Sequence, residues 1–182
     1  MKGLRKLIAL MLVIGAVYWL FSGGIKELAQ YFFPLYYSEE ITEAAAEYGL
    51  DEYLVRAVIK AESGYEENAS SGVAYGLMQL TDETAEWVSE KTGLDFAKRL
   101  EPEVNIKMGC YYLSYLIERF GSQNTALAAY NAGPATVGRW LSEKAYSKDG
   151  ESLDKIPYAE TEKYVRKVED FYRIYIRLYE ST

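Results

Sequence analysis

From residue 38 onward, residues that cap helix starts alternate with glycines that stop helices. Ser38 can cap a segment ending at Gly49, Asp51 one ending near Gly64, and Thr81 one ending at Gly93. Glu101-Pro102 opens a further helix, whose apolar residues Ile106, Cys110, Leu113, Ile117 and Phe120 recur at helical spacing before Gly121. Asn124 starts another, and a last helix follows Pro157, with Tyr164, Val168, Tyr172, Tyr175 and Tyr179 striping one face. No stretch alternates apolar and polar residues as a half-buried strand does, and the long irregular segments are confined to about 64–80 and 143–157. The expected fold class is all-α, in one domain with an apolar fraction of 49% to supply its core.

The N-terminus is built differently. Lys2, Arg5 and Lys6 precede an apolar run from Leu7 to Phe21 that extends through Ser22, Gly23 and Gly24 to Ile25, about the length needed to span hydrocarbon. Small residues at 22–24 lack an A-x-A cleavage pattern, and Tyr18, Trp19 and Phe21 read as an interfacial aromatic belt. The expectation is an uncleaved transmembrane anchor over 1–25, a cleaved signal peptide being the alternative. An aromatic-rich connector follows over 26–37, and a single helical domain occupies 38–182. The basic residues before the run place everything after it outside the cytoplasm.

Twenty-seven acidic residues oppose 20 basic ones, so the formal charge is −7 and a nucleic-acid surface is not expected. There is no histidine and a single cysteine, Cys110. Triads that depend on histidine, His-ligated zinc and an intramolecular disulfide are therefore excluded, and no metal or other cofactor is expected. Chemistry must run on carboxylates, hydroxyls and amides. In the segment Asp51–Ser63, Leu54, Val55, Val58 and Ile59 form the apolar stripe, and Glu62 continues it at the last helical turn. Desolvation and the negative end of the helix dipole both oppose its ionisation there, which is the condition a general acid requires.

Two uncharged segments accompany this carboxyl group. GLMQL at 76–80 lies in a loop where Gly72 and Gly76 permit close backbone approach and Gln79 offers donors and an acceptor. AAYNAGP at 128–134 sets Tyr130 and Asn131 at a helix end before a Gly-Pro turn. Together with Glu62-Ser63-Gly64, NIKMGCYYL at 105–113 and IPYAETEKYV at 156–165, these blocks in this order resemble the catalytic domain of the soluble lytic transglycosylases, over about residues 40–180.

The resemblance implies a goose-lysozyme-like helical domain that cleaves the β-1,4 bond between N-acetylmuramic acid and N-acetylglucosamine in peptidoglycan. By the same resemblance Glu62 is the catalytic acid and base, and Met78 and Gln79 line the cleft. Tyr130 and Asn131 lie near the acid, Glu160 either supports the site or touches substrate, and Tyr164 is scaffold. The loop before GLMQL is one residue shorter than the family's commonest form, so the cleft serine is Ser70 or Ser71. Thr81-Asp82 stands where the family usually has Met-Pro. The implied reaction forms a 1,6-anhydro sugar with one carboxylate acting twice. The alternatives are a hydrolytic muramidase, with Asp82 or Glu160 as base, and an inactive membrane-tethered glycan-binding module. Trp87, Trp140 and Cys110 are read as packing residues.

Overall fold

The computed structural model describes residues 2–180. Met1, Ser181 and Thr182, the outer bounds of the expected anchor and catalytic unit, lie outside the described residues, as does the side chain of Phe21 in the expected aromatic belt. The chain is predominantly helical: α1 (Lys2–Trp19), α2 (Ile25–Phe32), α3 (Ser38–Tyr48), α4 (Glu52–Glu62), α5 (Asp82–Thr92), α6 (Pro102–Phe120), α7 (Gln123–Ala132), α8 (Pro134–Leu141) and α9 (Ala159–Tyr175). A π turn, Leu20–Gly24, joins α1 to α2, and another, Ile176–Glu180, extends α9.

The single span expected from Leu7 to Ile25 is not formed. Gly23 adopts φ 112°, which only glycine tolerates readily, and the helix kinks there. With Lys2, Arg5 and Lys6 in its first turns, α1 leaves too short an apolar stretch; no helix among the described residues is long and apolar enough to cross a membrane. Leu7, Leu10, Met11, Leu12, Val13 and Ile14 are all exposed.

The capping signals translate directly into α4 and α5. The Asp51 carboxylate accepts from the backbone N–H groups of Tyr53 (2.8 Å) and Leu54 (3.2 Å), and Thr81 Oγ1 accepts from Thr84 N–H (3.1 Å). Ser38 behaves otherwise. It is the first residue of α3, behind Tyr37 at φ 52°, and its hydroxyl donates to the Leu35 carbonyl at 2.6 Å and accepts from Arg56. Ser122, rather than Asn124, caps α7. Two short antiparallel strands, β1 (Ala74–Tyr75) and β2 (Leu80–Thr81), close the 64–80 segment into a hairpin too short to show alternation.

The core forms where α4 packs on α9 and α6 packs on both α7 and α3. Val55, Ala57, Val58 and Ile59 of α4, Leu113 and Leu116 of α6, and Val168 of α9 are fully buried. Cys110 joins them, and burial pushes its thiol pKa up. Arg56 is buried as well, on the side of α4 away from its apolar stripe. Its guanidinium donates to the Tyr36 carbonyl (3.2 Å) and the Ser38 hydroxyl (3.3 Å), tying the connector to the domain. Phe33 meets Phe171 and Tyr175 edge-on at 5.4 and 5.5 Å, and Tyr179 donates to the Phe33 carbonyl at 2.7 Å. The connector is thus packed against α9.

Candidate active site

Glu62 is the last residue of α4, followed by a turn in which Gly64 (φ 61°) and Tyr65 (φ 72°) are both left-handed. A tyrosine rarely occupies that region, and its strain is held by contacts elsewhere. The Tyr65 ring is buried, its hydroxyl bonds that of Tyr175 at 2.8 Å, and its backbone N–H donates to Ser63 Oγ at 3.1 Å. Ser63 in turn donates to the Ile59 carbonyl. The turn that presents Glu62 is therefore bolted to α9, 110 residues along the chain.

The Glu62 carboxyl group is partly buried, and desolvation pushes its pKa up from 4.5 to about 7. Two groups of α9 moderate the rise, the Tyr164 hydroxyl and the Lys167 ammonium. Lys167 Nζ donates to the Ala61 carbonyl at 2.7 Å, so a cation caps the negative end of α4 beside the carboxyl group. Tyr164 is buried, and its hydroxyl has no hydrogen bond of good geometry, although it lies near enough to Glu62 to perturb it. The phenols of Tyr130 and Tyr164 are both pushed well up in pKa, first by burial and then by the Glu62 charge. Both rings thus stay neutral beside the carboxyl group. Tyr164, read from the sequence as scaffold, faces the acid directly.

Tyr130 links this carboxyl group to the GLMQL segment, because its hydroxyl donates to the Met78 carbonyl at 2.8 Å. Met78 itself contributes backbone only. Its side chain is fully buried against Gly109 of α6, where a Cβ would lie 2.2 Å from the Met78 sulfur, so it packs the core instead of lining a cleft. The Met78 N–H is held by Asn105 Oδ1 at 2.8 Å, and the Asn105 amide donates to the carbonyls of Arg99 (2.9 Å) and Tyr75 (3.3 Å). Asn105 is 1% exposed and organises the loop from beneath. Asn105 stands in the NIKMGCYYL block with no role assigned to it by the resemblance; a polar residue on the buried face of an amphipathic helix is the signal that marks it.

Gln79 has φ 47° and lines an open groove of about 610 Å³, together with Tyr130 and Asn131. Its amide Nε2 donates to the carbonyls of Ala69 (3.0 Å) and Gly76 (2.9 Å), so the donors expected to meet substrate are turned into the loop. Asn131 is exposed at the groove's edge. Trp87, assigned to packing from the sequence, packs against Tyr115 and lines the groove as well, whereas Trp140 is buried against Tyr158.

Ser70, Ser71 and Glu160 are not brought into the groove. The two serines are exposed and stabilise their own loop, accepting from the N–H groups of Gly72 (3.1 Å) and Ala74 (3.2 Å). Glu160 is exposed on the first turn of α9. Asp82 is engaged by Arg99 in a 2.7 Å ion pair. Among the described residues no cluster of three potential metal ligands occurs.

This arrangement has relatives. A family model described as "Transglycosylase SLT domain" matches residues 39–153. The chain is 35% identical over 143 residues to the soluble lytic murein transglycosylase of Salmonella typhimurium, which covers 75% of this chain and 22% of that protein. It is 31% identical over 172 residues to the membrane-bound lytic murein transglycosylase C of Edwardsiella ictaluri, with 78% of this chain and 47% of that one aligned. Among solved structures, an inactive mutant of the lytic transglycosylase Slt from Pseudomonas aeruginosa superposes with a TM-score of 0.70 at 35% identity, over 80% of this chain and 24% of that one. The chain thus spans about a quarter of the length of the first two of these soluble-type proteins and structures it matches.

Proposed function

The chain belongs to the transglycosylase SLT family, and from that membership and the site we propose that it is a peptidoglycan lytic transglycosylase, cleaving the MurNAc-β-1,4-GlcNAc bond with Glu62 as acid and then base. The observation that carries the reading is a carboxyl group with a pKa raised to about 7 that interacts with the neutral phenols of Tyr130 and Tyr164, the first of which also lines the open groove. At neutral pH a substantial fraction of Glu62 holds its proton, as a general acid must.

In the reaction we infer, Glu62 protonates the bridging glycosidic oxygen as the bond to the muramic acid C1 breaks, and the N-acetylglucosamine side leaves as an alcohol. The 2-acetamido oxygen of the muramic acid closes on C1 and stabilises the cationic centre, as in substrate-assisted glycosidases. Glu62, now a carboxylate, takes the proton of the C6 hydroxyl as O6 attacks C1 and displaces the acetamido oxygen. The 1,6-anhydro sugar forms and Glu62 ends protonated. No water enters. Gln79 and Asn131 hold the glycan from the groove, while Tyr130 and the Met78 backbone fix the wall beside the acid.

We propose that residues 38–182 constitute the catalytic unit and 26–37 the connector, and that α1 attaches the protein to a membrane as an uncleaved anchor with the catalytic unit outside the cytoplasm. The exposed apolar residues of α1, the cations before them and the membrane-bound name of the Edwardsiella relative support that placement. Incubation of the full-length protein with cell-wall sacculi, followed by mass spectrometry of the soluble products, tests the reaction. Products ending in 1,6-anhydromuramic acid, absent with Glu62→Gln, are expected. Reducing-end products heavier by about 18 Da, the mass of an added water, would instead assign the protein as a hydrolase.

A further inference from the structure

Resting on the reading of α1 as a membrane anchor, we propose that α2 makes a second lipid contact, lying along the bilayer surface with its apolar side in the boundary between headgroups and acyl chains. In α2, Ile25, Leu28 and Phe32 recur at i, i+3 and i+7 and share one side, with Tyr31 at its border, while Lys26 and Gln30 share the other. A helix of a folded domain turns its apolar side inward. This one is reversed. Ile25, Leu28, Tyr31 and Phe32 are each more than half exposed, as is Tyr36 just beyond the helix, whereas the half-buried residues of α2 are Ala29 and Gln30.

The reversal is held from the domain side. Phe33, next in the chain, packs edge-on against Phe171 and Tyr175 of α9. The Tyr175 hydroxyl donates to the Pro34 carbonyl at 3.2 Å, that of Tyr179 donates to the Phe33 carbonyl, and α2 itself touches the π turn Ile176–Glu180. Rolling the apolar side of α2 onto the domain would break these contacts. They lie at the C-terminal end of α9, where Tyr175 is eleven residues, or about 16 Å, along the helix from Tyr164 beside the acid. Seating α2 in lipid therefore leaves Glu62 in water.

Chain continuity selects a bilayer as the occupant. The exposed apolar surface of α1, including Leu10, Val13, Ile14 and Val17, runs on through Trp19 and Leu20 to Ile25, and the left-handed Gly23 between them lets α2 leave the axis of α1. Aliphatic residues bordered by tyrosine are the make-up of a helix lying in a membrane interface. A second copy fits less well, because eight residues give about 12 Å of helix, a contact far below the area of a stable protein interface. Charge gives no help to the attachment. Lys2, Arg5 and Lys6 lie on the far side of the apolar run and no acid precedes Glu27, so the part from 26 onward is more acidic than the whole chain and is repelled by anionic lipid. The contact must be apolar.

The test places a nitroxide spin label on the full-length protein through Leu28→Cys, Phe32→Cys, Lys26→Cys, Ser71→Cys on the domain, or Leu12→Cys on α1, each reconstituted into phosphatidylcholine vesicles. Collision with oxygen and with a water-soluble nickel chelate then reports the depth of each label; Cys110 is buried, and wild-type protein taken through the labelling checks that it stays unmodified. Labels at 28 and 32 are expected about 5–10 Å inside the headgroup boundary, the depth of an interfacial helix, and those at 26 and 71 in water. Added salt, which screens charge, should leave these depths unchanged. Labels at 28 and 32 found in water while that at 12 is in lipid would overturn the proposal and leave the anchor reading intact. Labels at 28 and 32 shielded from both probes, with dipolar broadening between copies, would overturn it in favour of a dimer contact. Labels at 12, 28 and 32 all in water would overturn both readings.

Discussion

Replacing Glu62 by glutamine should change how stability depends on pH as well as removing activity. In the folded protein the Glu62 carboxyl titrates at about 7 instead of 4.5, which at 1.36 kcal/mol per decade disfavours the folded carboxylate by about 3 kcal/mol. Partial access to water at the mouth of the site trims this, and about 2 kcal/mol is the expected effect. Between pH 4.5 and 7 the folded state binds more protons at this residue than the unfolded state, so its contribution to stability falls as pH rises through that window. Glutamine has the same shape and no proton to lose. Urea unfolding of the wild-type protein and of Glu62→Gln at pH 4.5 and pH 8 should therefore show the variant gaining about 2 kcal/mol on the wild type between the two values. Cell-wall cleavage by the variant should fall roughly 100- to 10,000-fold, the range for loss of a general acid. Parallel pH–stability curves for the two proteins would refute the burial argument, and near wild-type cleavage would refute the role.

Lys167→Met removes a cation that favours the Glu62 carboxylate, so the Glu62 pKa should rise further and the alkaline limb of the pH–rate profile should move to higher pH; an unmoved or acid-shifted limb would contradict the geometry at Ala61. Asn105→Ala strands the Met78 N–H and the Tyr75 and Arg99 carbonyls in the interior, and should cost about 2–4 kcal/mol in urea unfolding with a matching loss of cleavage as the Gln79 loop loosens.

Legibility followed the range of the interactions. Helix termini are decided within four residues, so Asp51, Thr81 and the glycines at 49, 93 and 121 could be read locally. Ser38 was misread because its hydroxyl is claimed by Leu35 and by Arg56, whose own burial depends on the connector folding back over α4. The same holds in the site. Glu62 was visible because its position on an apolar stripe is a property of one helix. The roles of Tyr65, Tyr164 and Asn105 were not visible, since each acts through a partner at least 27 residues away. Met78 shows the opposite error, a motif residue expected in the cleft whose side chain fills the space that Gly109 leaves open.

The number of usable carboxylates ties the electrostatics to the reaction. Asp82 is paired with Arg99 at 2.7 Å, Glu160 points to solvent on α9, and Glu83 lines the groove from an exposed position on α5, so none of the three shares the desolvated setting of Glu62. A pair of carboxylates can divide the work, one held protonated and the other ionised. A lone carboxylate must give a proton and then take one, and both steps are efficient only if its two forms lie close in free energy at the working pH. Burial alone would push Glu62 far toward the protonated form and leave it a poor base. Tyr164 and Lys167 pull in the other direction, and the balance falls at about 7. The α9 helix therefore does more than cover α4: its tyrosine and lysine set the proton affinity that the proposed acid-then-base role of Glu62 requires.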